Sequence, residues 1–422
     1  MKTYFILGFL IIINASYSQN LLSGKGLCSA NNLILSEYYF NELTAVDTIK
    51  VSNNGDFSYN LSGKNIGQYN LKNKDINIDF LYNNESIELN YNCYNADSVY
   101  FKHTKENELL NSFFKFNDVN NTAYSLLNQL KNYYPKKEKF YGEIINKIKE
   151  LNFENEQYIK FIIEKNDNSL ASKIVNLYRY TNKGFVNNEL YFDTILIKTR
   201  FLGDLIVSYL NNYENNKLNI LQQEQAFFPA IDTILQSFSK NKLLTIQIAN
   251  FLIDKFRYYD LELATEYTAS KANKYIDKEL KQNKYCETIN NIINVEIGKK
   301  TPNFLIEKRN LYEIKSKYKL VIFWASWCTH CSNLMNDLLE LDINPNVKII
   351  TYSLDFEKEN WEKTIAKFNK DWLNLCFCNL DNSIPDKYAV YATPTMFLLD
   401  SNDIIIAKPK SIKEILDNIK DE

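Results

Sequence analysis

The feature that most constrains the fold is an apolar strand that runs straight into two cysteines three residues apart. The segment is Phe323-Trp324-Ala325-Ser326-Trp327-Cys328-Thr329-His330-Cys331, followed by helix-compatible sequence from Ser332 to Leu341. A strand, a short loop and a helix in that order place Cys328 at a helix N-terminus. There the unpaired backbone N–H groups and the positive end of the helix dipole stabilise thiolate over thiol. The thiolate is the nucleophile, and a second cysteine one turn on is placed to attack a mixed disulfide.

Around this segment the chain reads as alternating strands and helices. Lys319 to Trp324 and Val347 to Leu354 are apolar strands, and Trp361 to Phe368 is a helix. Thr395 to Leu399 and Asp403 to Ile406 pair across Asp400-Ser401-Asn402, and Ile412 to Ile419 closes the chain as a helix. Continuous apolar strands alternating with helices indicate an α/β sheet covered on its faces. A break at Ile297-Gly298-Lys299-Lys300-Thr301-Pro302 sets this region apart, giving a domain over 295–422.

Upstream the pattern differs twice. From Leu21 to about Phe101 short β-prone runs alternate with turns such as Asn53-Asn54-Gly55-Asp56 and Ser62-Gly63-Lys64-Asn65. The strand candidates are Leu33 to Leu35, Thr48 to Val51, Phe57 to Leu61, Tyr69 to Leu71, Ile76 to Leu81 and Ile87 to Tyr91. Their spacing predicts a small antiparallel sandwich or barrel over 19–104. From Lys105 the apolar residues recur every three or four positions, as in Ser169 to Tyr180 and Leu243 to Tyr259. That period predicts an all-α domain over 105–294. The chain is thus expected to be multidomain: an antiparallel β domain, a central helical region and a C-terminal α/β domain. His103 stands alone and reads as a solvated or packed residue.

Residues 1–18 read as a secretory signal. Lys2 is the positive start, Tyr4 to Ile13 is an apolar run too short to span a bilayer, and Ala15, Ser16 and Ser18 are small. Cys28 lies well beyond that run, so lipidation is not expected. No later run reaches the ~20 apolar residues of a transmembrane helix. The expected destination is the periplasm, where disulfides persist.

Composition narrows the partners. Lys+Arg 49 against Asp+Glu 51 leaves a net charge of −2, which argues against nucleic acid. Two His argue against a multi-histidine metal site, and 7 Cys among 422 residues make no disulfide scaffold.

The cysteine segment resembles the active site of thioredoxin-fold proteins, specifically exported thiol-disulfide oxidoreductases of the TlpA/ResA type. The resemblance spans roughly Ile297 to Glu422. It rests on Trp327-Cys328-x-x-Cys331 after an apolar strand and on Ala392-Thr393-Pro394-Thr395 some sixty residues later. Thr301-Pro302-Asn303-Phe304 matches the family's lead-in strand, and Ser353-Leu354-Asp355 with Trp361 matches its central βα segment. The N-terminal β region resembles a domain of unknown function that often precedes such modules.

The resemblance implies that Cys328 is the nucleophile, Cys331 the resolver and the Thr393–Pro394 bond cis. It implies that Trp327, Thr329 and His330 shape the site while Thr393 and Pro394 present a protein dithiol or disulfide substrate. The redox-active disulfide needs no further cofactor and no metal, and an upstream thiol donor or acceptor completes the cycle. Disulfide repair or cytochrome c maturation is the family's usual service. His330 precedes the second cysteine as in the strong oxidase DsbA, which implies a lowered Cys328 pKa and an oxidising potential.

The sequence departs from the family in its carboxylates. The buried Asp six residues before the first cysteine is Ile322 here, and the Glu and Pro after the second are Leu334 and Asn336. Three other readings stand beside exchange. Cys328, Cys331, Cys376 and Cys378 could form a Cys₄ zinc site. The thioredoxin-like domain could be the remnant of a non-catalytic binding protein. A peroxidase would need a Thr where Ala325 stands. Cys376 and Cys378 alternate across Phe377. On a strand they would face one way as packed apolar residues or a second redox relay, about 6.5–7 Å apart and too extended for easy direct bonding.

Overall fold

The computed structural model describes residues 20–26, 32–91, 99–102, 104–181, 193–306, 309–340, 346–368, 371–379 and 383–419. The expected signal at 1–18, Cys28 and His103 lie outside them. The described residues up to Asn212 belong to one compact unit and those from Tyr213 onward to another.

The first unit begins with β1 (Leu21–Gly26), β2 (Leu33–Tyr39), β3 (Glu42–Ile49), β4 (Phe57–Asn60), β5 (Gly67–Lys72), β6 (Asn77–Tyr82), β7 (Ile87–Tyr91) and β8 (Tyr100–Lys102). They form two four-stranded sheets, β4-β1-β7-β8 and β3-β2-β5-β6. Leu22, Phe57 and Leu89 of one sheet share a buried core with Leu35, Tyr69 and Phe80 of the other, which makes a sandwich. One pairing departs from the antiparallel expectation: β1 runs parallel to β7. Strand β3 begins earlier than its sequence suggests. Its residues are almost all exposed on an edge, so no buried alternation marks it.

Four helices complete this unit: α1 (Lys105–Tyr133), α2 (Lys139–Lys165), α3 (Leu170–Thr181) and α4 (Arg200–Asn211). Polar ties fasten them to the sandwich. The Asn107 side chain accepts from the Leu81 N–H at 2.7 Å and donates to the Leu81 carbonyl at 2.8 Å. The Glu106 carboxylate accepts from the N–H groups of Leu170 and Ala171 at 3.1 and 2.7 Å, capping α3. Gly203 lets α4 approach the β2–β3 turn, because a Cβ there would lie 2.8 Å from the Asn41 nitrogen.

The second unit opens with α5 (Ile220–Ser237), α6 (Lys242–Tyr258), α7 (Glu262–Asn273) and α8 (Lys284–Asn294). The helices grouped by period over 105–294 are therefore divided: α1–α4 belong with the sandwich and α5–α8 with the C-terminal domain. Helical period reports that each helix has a buried face, but not which partner buries it.

After a short pair, β9 (Leu305–Ile306) and β10 (Arg309–Asn310), the chain enters the main sheet. It runs through β11 (Tyr318–Trp324), α9 (Thr329–Glu340), β12 (Val347–Ser353), α10 (Lys358–Ile365), β13 (Leu373–Cys376), α11 (Ile384–Lys387), β14 (Thr395–Leu399), β15 (Ile405–Ala407) and α12 (Ile412–Asn418). The strand order is β13-β12-β11-β14-β15, with β11 parallel to β12 and antiparallel to β14.

Every residue of β11 is buried, so its two faces feed two cores. Leu320, Ile322 and Trp324 pack with Leu334, Met335 and Leu338 of α9 and with Ile415 of α12. Val321 and Phe323 pack with Phe304, Leu311, Ile384 and Tyr388 on the other face. Lys319, 1% exposed, is neutralised by Asp403 in a buried ion pair.

Candidate active site

Cys328 lies on the loop between β11 and α9, beyond the C-terminal end of the central strand, and Cys331 lies in α9 itself. Burial of β11 on both faces fixes where this loop starts. The Trp324 carbonyl accepts from the Leu354 N–H at 2.7 Å, joining the ends of β11 and its neighbour β12. The helix begins at Thr329, earlier than the Ser332 that the sequence suggested, so His330 and Cys331 lie in its first turn. Their N–H groups are among the donors a helix leaves unpaired there.

The two sulfurs sit in different surroundings. Cys328 is 9% exposed and Cys331 is fully buried. The Cys331 N–H donates to the Cys328 Sγ at 3.3 Å. The Thr393–Pro394 peptide bond is cis, and the Cys328 thiol donates to the Thr393 carbonyl at 3.4 Å. The helix start and the Thr-Pro loop, 65 residues apart in sequence, therefore meet at one sulfur.

These surroundings move the two thiols in opposite directions. Burial alone would raise Cys328. Hydrogen bonds from the side chains of Cys331 and Thr393 and from the backbone N–H groups of Cys331 and His330 outweigh it and hold the thiol below its usual range. Cys331 is pushed up to about 12, first by burial and then by its hydrogen bond with Cys328. One thiol is poised to ionise and the other to keep its proton.

Of the other residues singled out in the sequence, Trp327 is 69% exposed beside Cys328, and Thr329 is exposed as the first residue of α9. His330 is also exposed, and it acts on Cys328 through its backbone N–H.

Asp355 is a carboxylate that the motif reading passed over. It is 2% exposed, and it accepts from the Ser326 N–H at 3.1 Å and the Ser326 hydroxyl at 2.6 Å. The Ser353 hydroxyl is its third donor. Asp355 thus clamps the loop two residues before Cys328. Its sequence signal is Ser353-Leu354-Asp355, the segment that matches the family's central βα unit. It does not replace the family's missing proton acceptor, since none of the groups that set the Cys331 pKa is a carboxylate.

Cys376 and Cys378 are bonded to each other, which corrects the expectation drawn from strand spacing. β13 ends at Cys376, and Phe377–Asn379 turn into a 3₁₀ helix. The turn shortens the Cα separation to 5.2 Å, within disulfide range. This pair gives no support to the Cys₄ zinc reading, because its sulfurs are already bonded. Among the described residues no group of three or more His, Cys, Asp or Glu is gathered as a metal site would need.

A family model described as thioredoxin-like matches residues 316–405, which include β11, both cysteines of the first pair and the cis proline. The C-terminal domain is thioredoxin-like. Its curated relatives include the thioredoxin-like protein YneN of Bacillus subtilis, 29% identical over 121 residues, covering 27% of this chain and 71% of that protein. Another is the thiol-disulfide oxidoreductase ResA of Bacillus cereus, 29% identical over 125 residues, covering 27% of this chain and 69% of that protein. Among solved structures, a thioredoxin-like protein from Bacteroides caccae aligns with 51% of this chain and 81% of its own, at 18% identity and a TM-score of 0.36. Among the described residues no helix is long and apolar enough to cross a membrane.

Proposed function

We propose that the chain is an exported thiol-disulfide oxidoreductase that exchanges disulfides with protein substrates through Cys328 and Cys331. The observation that carries this reading is the geometry at the Cys328 sulfur, which accepts from the Cys331 N–H at the start of α9 and meets the Thr393 carbonyl before the cis proline, while Cys331 is fully buried. The relatives named thiol-disulfide oxidoreductase support the same chemistry.

In the reducing direction the Cys328 thiolate attacks one sulfur of a client disulfide. A Cys328–client S–S bond forms, the client S–S bond breaks, and the departing client thiolate takes a proton. Cys331 then loses its proton and attacks the Cys328 sulfur, releasing the second client thiolate. The client gains two electrons and the Cys328–Cys331 pair is oxidised. Its high pKa keeps Cys331 protonated until the mixed disulfide forms, so the two thiols do not compete for the first attack. An upstream dithiol reverses the oxidation.

The exposed Trp327 and the Thr393–Pro394 loop border the reacting sulfur, where a client backbone would lie. Export is proposed from the apolar run at Tyr4 to Ile13 and the small residues after it. The test is reduction of insulin by the purified chain with dithiothreitol as electron source. Turbidity appears early with the wild-type chain and only at the uncatalysed rate with Cys328→Ser. Equal rates for the two proteins would overturn the proposal.

A further inference from the structure

Within the second unit a groove of ≈ 900 Å³ opens beside the Thr393–Pro394 loop. The corner between α6 and α7 contributes part of its lining. Two of its cations are already neutralised. Lys408 pairs with Glu266, and Lys410 pairs with Glu262 at 3.1 Å.

Arg257, near the end of α6, is held differently. Its guanidinium lies over the Tyr391 ring, 5.0 Å from the centroid, and one terminal nitrogen donates to the Ala389 carbonyl at 3.4 Å. Its Nε is buried with no hydrogen-bond partner among the described residues. Burial pulls its pKa below the usual value, and Asp254, one turn back on the same helix, only partly opposes that. A planar guanidinium presents paired donors that match a carboxylate. Tyr391, which supports it, stands two residues before Thr393, whose carbonyl meets the Cys328 sulfur.

We propose that Arg257 is a client-selecting residue that binds an Asp or Glu carboxylate flanking the disulfide that Cys328 attacks. This inference rests on the exchange reading and adds the charge of the client. A chain laid along the cis-proline loop with its disulfide at Cys328 carries its neighbouring residues past Tyr391 into the groove. Lys408 and Lys410 have acidic partners on the protein itself, whereas the Arg257 guanidinium is held over the ring of Tyr391, a groove residue two positions before Thr393.

The test uses the full chain, reduced, against three peptides with one internal disulfide each, differing only in whether Asp, Ser or Lys flanks the cysteines. Single-turnover rates are compared as ratios, so the Ser peptide serves as reference for each protein. The wild-type chain should reduce the Asp peptide about tenfold faster than the Ser peptide, as one charge-assisted bond allows. High salt should narrow that ratio. Arg257→Gln should bring it to about one, and Arg257→Lys should leave an intermediate value, since it keeps the charge and loses the fork. A wild-type ratio near one, or an unchanged ratio in Arg257→Gln, overturns the selectivity and leaves the exchange reading standing. Absence of exchange with all three peptides removes the exchange reading and the selectivity with it.

Discussion

The backbone N–H of Cys331 points at the Sγ of Cys328 across 3.3 Å, so the residue proposed to resolve is also a donor to the proposed nucleophile. That donor exists because α9 starts at Thr329 and leaves its first N–H groups without helical partners. The chemistry of the pair therefore depends on where a helix begins as much as on which residues lie between the cysteines.

The first prediction separates backbone from side chain at His330. Its contribution to lowering the Cys328 pKa comes from the N–H. His330→Ala keeps that N–H and should leave the Cys328 thiolate titration nearly in place. His330→Pro removes the donor, is tolerated in a first helical turn, and should raise the Cys328 pKa. Thiolate absorbance against pH reads both. A rise of equal size in the two variants would put the effect in the imidazole.

Asp355 should matter to both stability and rate. Its carboxylate accepts two hydrogen bonds from Ser326 and a third from Ser353. Asp355→Ala leaves those donors unpaired beneath the loop and should cost roughly 1–3 kcal/mol. Urea denaturation should show the loss, and insulin reduction should slow because the Cys328 loop is no longer held. Wild-type behaviour in both assays would show that the clamp is dispensable.

Much of this arrangement could be read from the sequence, and the gaps have physical reasons. The strand–loop–helix around Cys328 was legible because β11 is apolar throughout and the helix pattern follows at once. Thr393 and Pro394 were legible through the family motif. The sandwich was legible because buried strands such as β7 alternate cleanly, whereas β3 was placed late because an exposed edge strand carries no alternation. The division of the helices was hidden, since Glu106 on α1 and Arg257 on α6 look alike as polar residues of amphipathic helices. Asp355 was hidden because its partners come from two strand ends that only the fold brings together. The Cys376–Cys378 bond was missed because sequence does not say that β13 stops at Cys376.

The buried pair of Lys319 and Asp403 gives a further prediction. Lys319 is 1% exposed and Asp403 is 5% exposed, so removing either partner leaves a charge without compensation. Lys319→Met or Asp403→Asn should each destabilise the protein by about 3–5 kcal/mol. The double substitution should lose less than the two singles combined, because it leaves no orphaned charge. Chemical denaturation of the three variants checks this, and strict additivity would contradict it.

Cys331 predicts a pH dependence of stability in the reduced protein. Its thiol is pushed up to about 12 in the fold, first by burial and then by the hydrogen bond with Cys328. An unfolded cysteine ionises near ~8.5. Above that value the unfolded chain loses a proton that the folded chain keeps, so stability falls as pH rises from ~8.5 toward the folded pKa. Below that window the contribution is fully present. The urea midpoint of the reduced wild-type protein should drop more between neutral and alkaline pH than that of Cys331→Ser, which has no thiol to ionise. Equal drops would mean that the thiol is not held protonated.

The central claim is that Cys328 attacks first and Cys331 resolves, and trapping of mixed disulfides tests it most directly. Cys331→Ser and Cys328→Ser are each reduced and mixed with an oxidised client such as insulin, and the products are separated without reductant. The account predicts a stable covalent adduct through Cys328 in the Cys331→Ser protein and none in the Cys328→Ser protein. An adduct formed by Cys328→Ser alone would reverse the two roles and contradict the account.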